Sequence, residues 1–313
     1  MCQQTRIDTV LPYYEKFLHR WPTVGKLAAA PVDDVLHAWA GLGYYSRARN
    51  LHKAAQMVAA DGGFPKTLEG LMKLPGVGRY TGGAIASMAF GADEALVDGN
   101  VERVLARHFG IEADLRSTAG KKLIWAKAEE LLWQGRAGDW NQALMEWGAL
   151  ICHPKRPDCG NCPVNETCVA LRDDQIQRLP VLSKKAKPQP VFAACGVLEK
   201  EGKIFLRKRP ETGLLAGLWE CPSTDFLPQR CSEKDLSRHF SQYVSSGDKI
   251  GSEHLGTVRH VFSHRKLTME VYLLTGEFEQ IGEAGFWLDP TEASPVALSK
   301  LTQKVLALRG KTD

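Results

Sequence analysis

Two domains of different class are predicted for this chain: an all-α part over residues 1–172 and an α+β part over 191–313, joined by a linker at 173–190. Three observations predict this. Up to about residue 172, apolar residues recur at three- and four-residue spacing, the period of a helix with one buried face. Gln175–Pro190 carries Pro180, Pro188 and Pro190, three lysines and no acid, the composition of an exposed connector. Beyond it the period shortens to two, as on half-buried strands.

The bulk numbers fit this division. A chain of 313 residues is too long for one ordinary domain and comfortable for two. Hydrophobic and charged contents of 44% and 24% are those of a water-soluble globular protein. No apolar run reaches the roughly 18 residues of a membrane span, and Met1–Thr5 has no basic flank leading into an apolar stretch. A cytoplasmic location is the expectation. Residues 1–174 hold 20 basic and 20 acidic side chains, so the excess behind the net charge of +4 lies in Arg178, Lys184, Lys185 and Lys187. Composition therefore makes no case for nucleic acid by itself; only basic residues gathered on one face would.

Taken in order, helices are predicted at Val32–Gly41, Thr67–Leu74, Tyr80–Phe90, Val101–Phe109, Gly120–Trp133 and Trp140–Ile151. Glycine and proline punctuate them at Gly62-Gly63-Phe64-Pro65 and Pro75-Gly76. Strands are predicted at Val191–Leu198 and Lys203–Lys208, and through Leu267, Met269, Val271 and Leu273, which alternate with Thr268, Glu270 and Tyr272. Val296–Arg309 closes the chain as an amphipathic helix.

Leu74-Pro75-Gly76-Val77-Gly78-Arg79-Tyr80-Thr81 lies between two helical patterns. Pro75 stops the first, and Gly76 and Gly78 permit positive φ and close backbone approach. The second helix then points its N-terminal dipole at whatever sits over the turn, and a DNA phosphate suits that position. An ordinary packing corner has the same sequence. Twenty residues on, in Val97-Asp98-Gly99-Asn100-Val101, Asp98 has the residue type and setting of a helix N-cap.

Of the eight cysteines, four fall in Cys152-x6-Cys159-x2-Cys162-x5-Cys168. Crowding of this kind indicates a metal site rather than a disulfide frame, and four thiolates suit zinc or an iron–sulfur cluster equally.

Together these segments resemble the MutY-type adenine DNA glycosylases of the helix–hairpin–helix superfamily. That family pairs such a hairpin with an aspartate at this distance. The resemblance implies that Asp98 is the catalytic carboxylate, supported by Tyr80 and Asn100, and that Gly76, Val77 and Gly78 hold DNA. It implies a 4Fe-4S cluster on Cys152, Cys159, Cys162 and Cys168. Tyr80 stands where lyase members carry a Schiff-base lysine, which argues for a glycosylase without lyase activity. Gln3-Gln4-Thr5 and Gly41-Leu42-Gly43-Tyr44-Tyr45-Ser46-Arg47 resemble two further family segments. These make Gln4, Thr5, Leu42 and Tyr44 expected DNA contacts. Asn141-Gln142 resembles a third, in which Gln142 meets the flipped adenine; a glutamine pairs with an adenine edge bidentately.

Gly217-Leu218-Trp219-Glu220-Cys221-Pro222 resembles the start of a Nudix box, but Ser223-Thr224-Asp225-Phe226 follows instead of the Gly-Gly and the acidic magnesium-binding helix of a working one. A Nudix-like fold without its metal site resembles the family's C-terminal domain, which reads 8-oxoguanine. Phe262-Ser263-His264 resembles its recognition loop. The implied partner is double-stranded DNA carrying A:8-oxoguanine or A:G mispairs, bound by a monomer.

The sequence departs from the family at one point. The general-acid glutamate of the family would lie two residues before Met1, so the chain as it stands is expected to bind the mispair and release adenine slowly. Three alternatives stay open: an endonuclease III-like enzyme acting on oxidised pyrimidines, a Nudix nucleotide hydrolase, and a DNA-binding module without catalysis. Tyr80 and the C-terminal domain speak against the first, and the broken box against the second.

Overall fold

The structure is a computed structural model that describes every residue except Gln4, Lys185, Ser232, 244–250, 277–284, Ala293 and 311–313. Gln4, an expected DNA contact, thus lies outside the described residues. Helices α1 to α10 are Ile7–Arg20, Val24–Ala29, Val32–Ala38, Ser46–Ala60, Leu68–Met72, Arg79–Phe90, Gly99–His108, Thr118–Glu130, Ala137–Leu150 and Val169–Arg172. Strands β1 to β6 follow at Gln189–Lys200, Lys203–Lys208, Trp219–Glu220, Gly251–Val261, Arg265–Thr275 and Gly285–Leu288, with α11 at Glu233–Phe240 after β3 and α12 at Lys300–Arg309 last. The predicted architecture, all-α and then α+β, is the observed one.

The closing helix starts later than its periodicity predicts. Ser299 caps α12 through its hydroxyl, which accepts from the amide of Thr302 at 3.0 Å. Val296–Leu298 lie outside the helix, and Leu298 forms a parallel bridge to Trp219. The connector differs too. Leu179 is 2% exposed, and its carbonyl accepts from Nε of Arg107 at 2.9 Å. The amide of Leu115 donates to the carbonyl of Val181, and that of Ser183 to Asp114 Oδ1 at 3.0 Å. Proline and lysine content marks an exposed connector but does not prevent its carbonyls from meeting a buried arginine, and its last two residues, Gln189 and Pro190, already belong to β1.

By compactness the chain divides into two units, Met1–Gln56 with Ala186–Asp313, and Met57–Lys185. In the first, the described strands run β3-β2-β1-β5-β4, with β6 also on β2. The central pair β1 and β5 is parallel, with Val191 opposite Leu267 and Cys195 opposite Val271. Strands buried on both faces read as continuous apolar runs, and Ala193–Leu198 are all buried. One face packs Val197, Leu206 and Met269 against Leu301 and Val305 of α12. The N-terminal helices have their own core around Phe17, Val35, Trp39 and Tyr45, and Leu218 and Ala297 belong to it. In the second unit, Leu96, Val101, Leu105 and Ile124 form the core on which α7, α8 and α9 close.

Candidate active site

The hairpin forms as its residues dictate. Gly76 takes φ 79°, a left-handed conformation that favours glycine. The Val77 amide donates back to Leu74 at 3.1 Å, closing the turn. Gly78 precedes α6, whose N-terminus no side chain caps. Arg79 ion-pairs with Glu129 and stacks over Trp125 with its guanidinium 3.9 Å from the ring centre. The hydroxyl of Tyr80 donates to Met145 Sδ at 3.8 Å.

Asp98 is the N-cap of α7. Its Oδ1 accepts from the amides of Asn100 and Val101 at 2.9 and 2.8 Å, and its Oδ2 accepts from Asn100 Nδ2 at 3.2 Å. Capping is worth about 1 kcal/mol, and here it also fixes where the carboxylate points. Burial, and then the charge of Asp98, pushes the Glu102 carboxyl up.

Sequence reasoning missed the residue that holds this constellation. The guanidinium of Arg103, 9% exposed, donates to Asn100 Oδ1 at 2.9 Å, to the carbonyls of Gly99 at 3.2 Å and Gly148 at 2.7 Å, and through Nε to the carbonyl of Cys152 at 2.7 Å. A side chain at Gly148 would run into Asn100, so α9 reaches the carboxylate's neighbour only because that position is a glycine. One turn further on, Arg107 donates to the carbonyls of His153 and Pro154 at 2.7 and 2.8 Å and lies 3.5 Å from Cys152 Sγ. The available signal was two arginines four apart, on one side of a short helix whose other residues include Val101, Val104, Leu105 and Ala106. Charges on a helix this apolar must find partners.

Cys152, Cys159, Cys162 and Cys168 come together around one small pocket, with Arg107 on its wall. Among the described residues, no three His, Cys, Asp or Glu side chains close on a single ion; the thiols surround a shared volume instead. Burial, and then the neighbouring thiols of Cys152, Cys168 and Cys162, push the Cys159 thiol up.

Asn141 and Gln142 part company. Asn141 is buried and donates to Ser87 Oγ and the Glu94 carbonyl, at 2.9 and 2.8 Å, tying α9 to α6. Gln142 is exposed, with Nε2 on the Gly138 carbonyl at 3.3 Å.

In the other unit, a cleft of about 910 Å³ is lined by Leu42, Tyr44, Phe262, Ser263 and His264 among others. The structure therefore brings together the segment of Leu42 and Tyr44, expected DNA contacts, and the Phe262–His264 loop. Gly41, Gly43 and Tyr44 have positive φ, 48° at Tyr44, a conformation that costs a non-glycine residue roughly 1–2 kcal/mol. The strain divides the two tyrosines. Tyr45 is buried, its hydroxyl donating to the Leu298 carbonyl at 3.1 Å, while Tyr44 is 52% exposed at the cleft. Arg47 holds the turn. One guanidinium nitrogen donates to the carbonyls of Leu42 and Gly43 and to Thr5 Oγ1 at 3.0–3.1 Å, and the other to the carbonyls of Met1 and Gln3. Opposite, the Phe262 amide donates to Arg265 at 2.8 Å, closing the β4–β5 turn with Ser263 and His264 exposed at its tip. Phe262 packs against His260, ring centres 4.5 Å apart and planes tilted by 58°. Burial, and then Lys304 and Lys300, lower the His260 pKa and favour the neutral ring.

The position of the box-like segment is also settled. Glu220 is buried and receives Arg209 NH1 on both oxygens at 2.8 Å and Arg207 at 3.3 Å. Its carboxylate is thus neutralised by this chain's own arginines.

Residues 1–131 match the family described as HhH-GPD superfamily base excision DNA repair protein, and residues 193–308 match the NUDIX domain. Human adenine DNA glycosylase is 38% identical across 97% of this chain and 66% of its own length; the mouse protein is 36% identical across 98% and 70%. The chain thus spans about two-thirds of these curated relatives. Among solved structures, a thermostable thymine-DNA glycosylase superposes with TM-score 0.50 at 30% identity, covering 55% of this chain and 80% of that one. With the hairpin, the capped aspartate and the Nudix-like sheet each in place, and relatives of this identity matched over most of both chains, the chain belongs to the adenine DNA glycosylase family, whose enzymes are DNA N-glycosylases of base excision repair.

Proposed function

We propose that this protein removes adenine paired with 8-oxoguanine, or with guanine, by hydrolysing the N-glycosidic bond of a base flipped out of double-stranded DNA, and that it acts as a monomer. The observation that carries this reading is the anchored carboxylate of Asp98. Breaking the bond sends its electron pair to the base, which takes up a proton, and leaves positive charge on the sugar. Water then adds its oxygen to C1′ and gives up a proton. A carboxylate that need not reorient meets that charge at no reorganisation cost. Oδ1 is engaged by two amides; Oδ2 takes the Asn100 side chain and retains further acceptor capacity for a developing positive charge. Tyr80 and Asn100 support the pocket, and Gln142 is the contact for the adenine edge.

The glycine-rich hairpin, with Gly76, Val77 and Gly78 over an uncapped helix end, suits a DNA phosphate. The strained Tyr44 turn and the Ser263–His264 tip, facing one cleft, suit reading of the opposite base. Thr5 and Leu42 belong to the same assembly through Arg47.

The residues around the cysteine pocket fit a 4Fe-4S cluster. Four thiols line one pocket, a donor set that suits the irons of such a cluster, and the Arg107 guanidinium donates to Cys152 Sγ at 3.5 Å. When bound, the cluster supplies a rigid four-point tie for residues 152–168; hydrolysis itself moves no electrons.

The test is strand scission after alkali, on duplexes carrying A:8-oxoguanine, A:G, T:8-oxoguanine or an oxidised pyrimidine. Cleavage at adenine in the first two alone is expected. Cleavage confined to the oxidised pyrimidine would place the chain with the endonuclease III-like enzymes instead.

A further inference from the structure

Besides Arg107, Asp158 and Asn165, the wall of the cysteine pocket carries the polar rings of His108 and Trp147. His108 is the last residue of α7, and Trp147 lies on α9. Their rings meet edge to face, 5.7 Å apart at 74°. Phe109 takes another face of the His108 ring at 4.8 Å, so the imidazole is clamped between two aromatic groups. Nδ1 of His108 and Nε1 of Trp147 are both buried, and neither has a hydrogen-bond partner among the described residues. A buried polar nitrogen without a partner costs about 1–3 kcal/mol, and two in one wall call for an explanation. Nothing in the fold of α7 or α9 requires polar atoms there; leucine and phenylalanine would fill the same space. An indole nitrogen only donates, and a neutral imidazole donates from one nitrogen. What the pair lacks is an acceptor, and the four cysteines beside it are the ligand set of a group rich in sulfur.

We infer that His108 and Trp147 donate hydrogen bonds to the sulfur of the iron–sulfur cluster, through Nδ1 and Nε1, and thereby tune its reduction potential. The inference rests on the proposed cluster. Donors to cluster sulfur favour the more electron-rich state and raise the potential. Arg107, 3.5 Å from Cys152 Sγ, provides the same kind of stabilisation from another direction.

The test uses the full chain purified anaerobically, with iron and sulfide counted first. Four of each, with a reversible wave in film voltammetry, establish the group whose tuning is measured. His108→Leu and Trp147→Phe each remove one donor and keep an apolar ring or branch in place. Each is expected to shift the potential negative and to reduce the H2O-to-D2O shift of the Fe–S stretching bands in resonance Raman spectra. His108→Asn returns an N–H near the Nδ1 position and is expected to restore both readouts toward wild type. A purely structural role would not produce that rescue. An unchanged potential and unchanged deuterium shift in both single variants overturn the inference and leave the cluster standing. Stoichiometric zinc with no iron overturns the cluster reading itself, and the inference with it. If His108→Leu fails to retain iron, Trp147→Phe alone decides between these outcomes.

Discussion

The side-chain amide of Asn100 donates to Asp98 Oδ2 at 3.2 Å while its own oxygen accepts from Arg103 at 2.9 Å. Asn100 is thus the middle member of a short chain that runs from the candidate catalytic carboxylate to the carbonyl of Cys152. Asp98, Asn100 and Arg103 all belong to α7 or its N-cap.

Asp98→Asn separates the two duties of the carboxylate. Asparagine caps a helix about as well as aspartate, so fold and DNA affinity should be retained. The charge that meets the sugar cation is lost, which is expected to lower single-turnover base removal by about 10²–10³. Wild-type rates in Asp98→Asn would move the catalytic role elsewhere.

Arg103 is expected to matter for both stability and rate. Arg103→Ala leaves the carbonyls of Gly148 and Cys152 without their charged donor and should cost about 3 kcal/mol in denaturant unfolding. Arg103→Lys keeps the charge but not the fork. It should unfold more easily than wild type and remove adenine more slowly, because Asn100 is no longer held against Asp98.

Lesion preference is best probed by point substitution in the cleft. Cutting the chain near residue 175 would remove Leu218 and Ala297, which share a core with Trp39 and Tyr45, so loss of activity would report damage to the N-terminal helices. Ser263→Ala, His264→Ala and Tyr44→Ala leave that core intact. Each is expected to narrow the rate difference between A:8-oxoguanine and A:G by lowering the former. Equal preference in all three would assign the reading of the opposite base to another surface.

Acid should loosen the connector first. The Asp114 carboxyl lies below the usual carboxylate range because the backbone amides of Arg116 and Ser183 donate to it. A depressed folded pKa gives stability that is present above the ordinary value of about 3.9 and is lost as pH falls through the lower folded value. Wild type should therefore exceed Asp114→Asn in stability at pH 6, and the difference should shrink as pH falls below about 3.9. Urea titrations of both proteins across that range measure it; a constant difference would show that the carboxylate's charge is not what holds Ser183.

Local patterns were legible in the sequence because each is set within a few residues. The hairpin needs only Pro75, Gly76 and the start of α6; Asp98 caps the helix that begins at the next residue; strand β2 was placed at Lys203–Lys208 by its own apolar content, and the cysteine spacing lies within 152–168. Tertiary packing decided the rest. Tyr45 is buried while Tyr44 is exposed because the Tyr45 hydroxyl meets a carbonyl 253 residues away. Asn141 is buried while Gln142 is exposed because Ser87 and Glu94 lie on one side of α9 only. Arg103 and Arg107 became central because carbonyls of α9, the cysteine segment and Leu179 were left for a buried cation to satisfy. Residue type limits what a side chain can donate or accept; which distant backbone atoms come within 3 Å is settled only when the helices and strands close on one another.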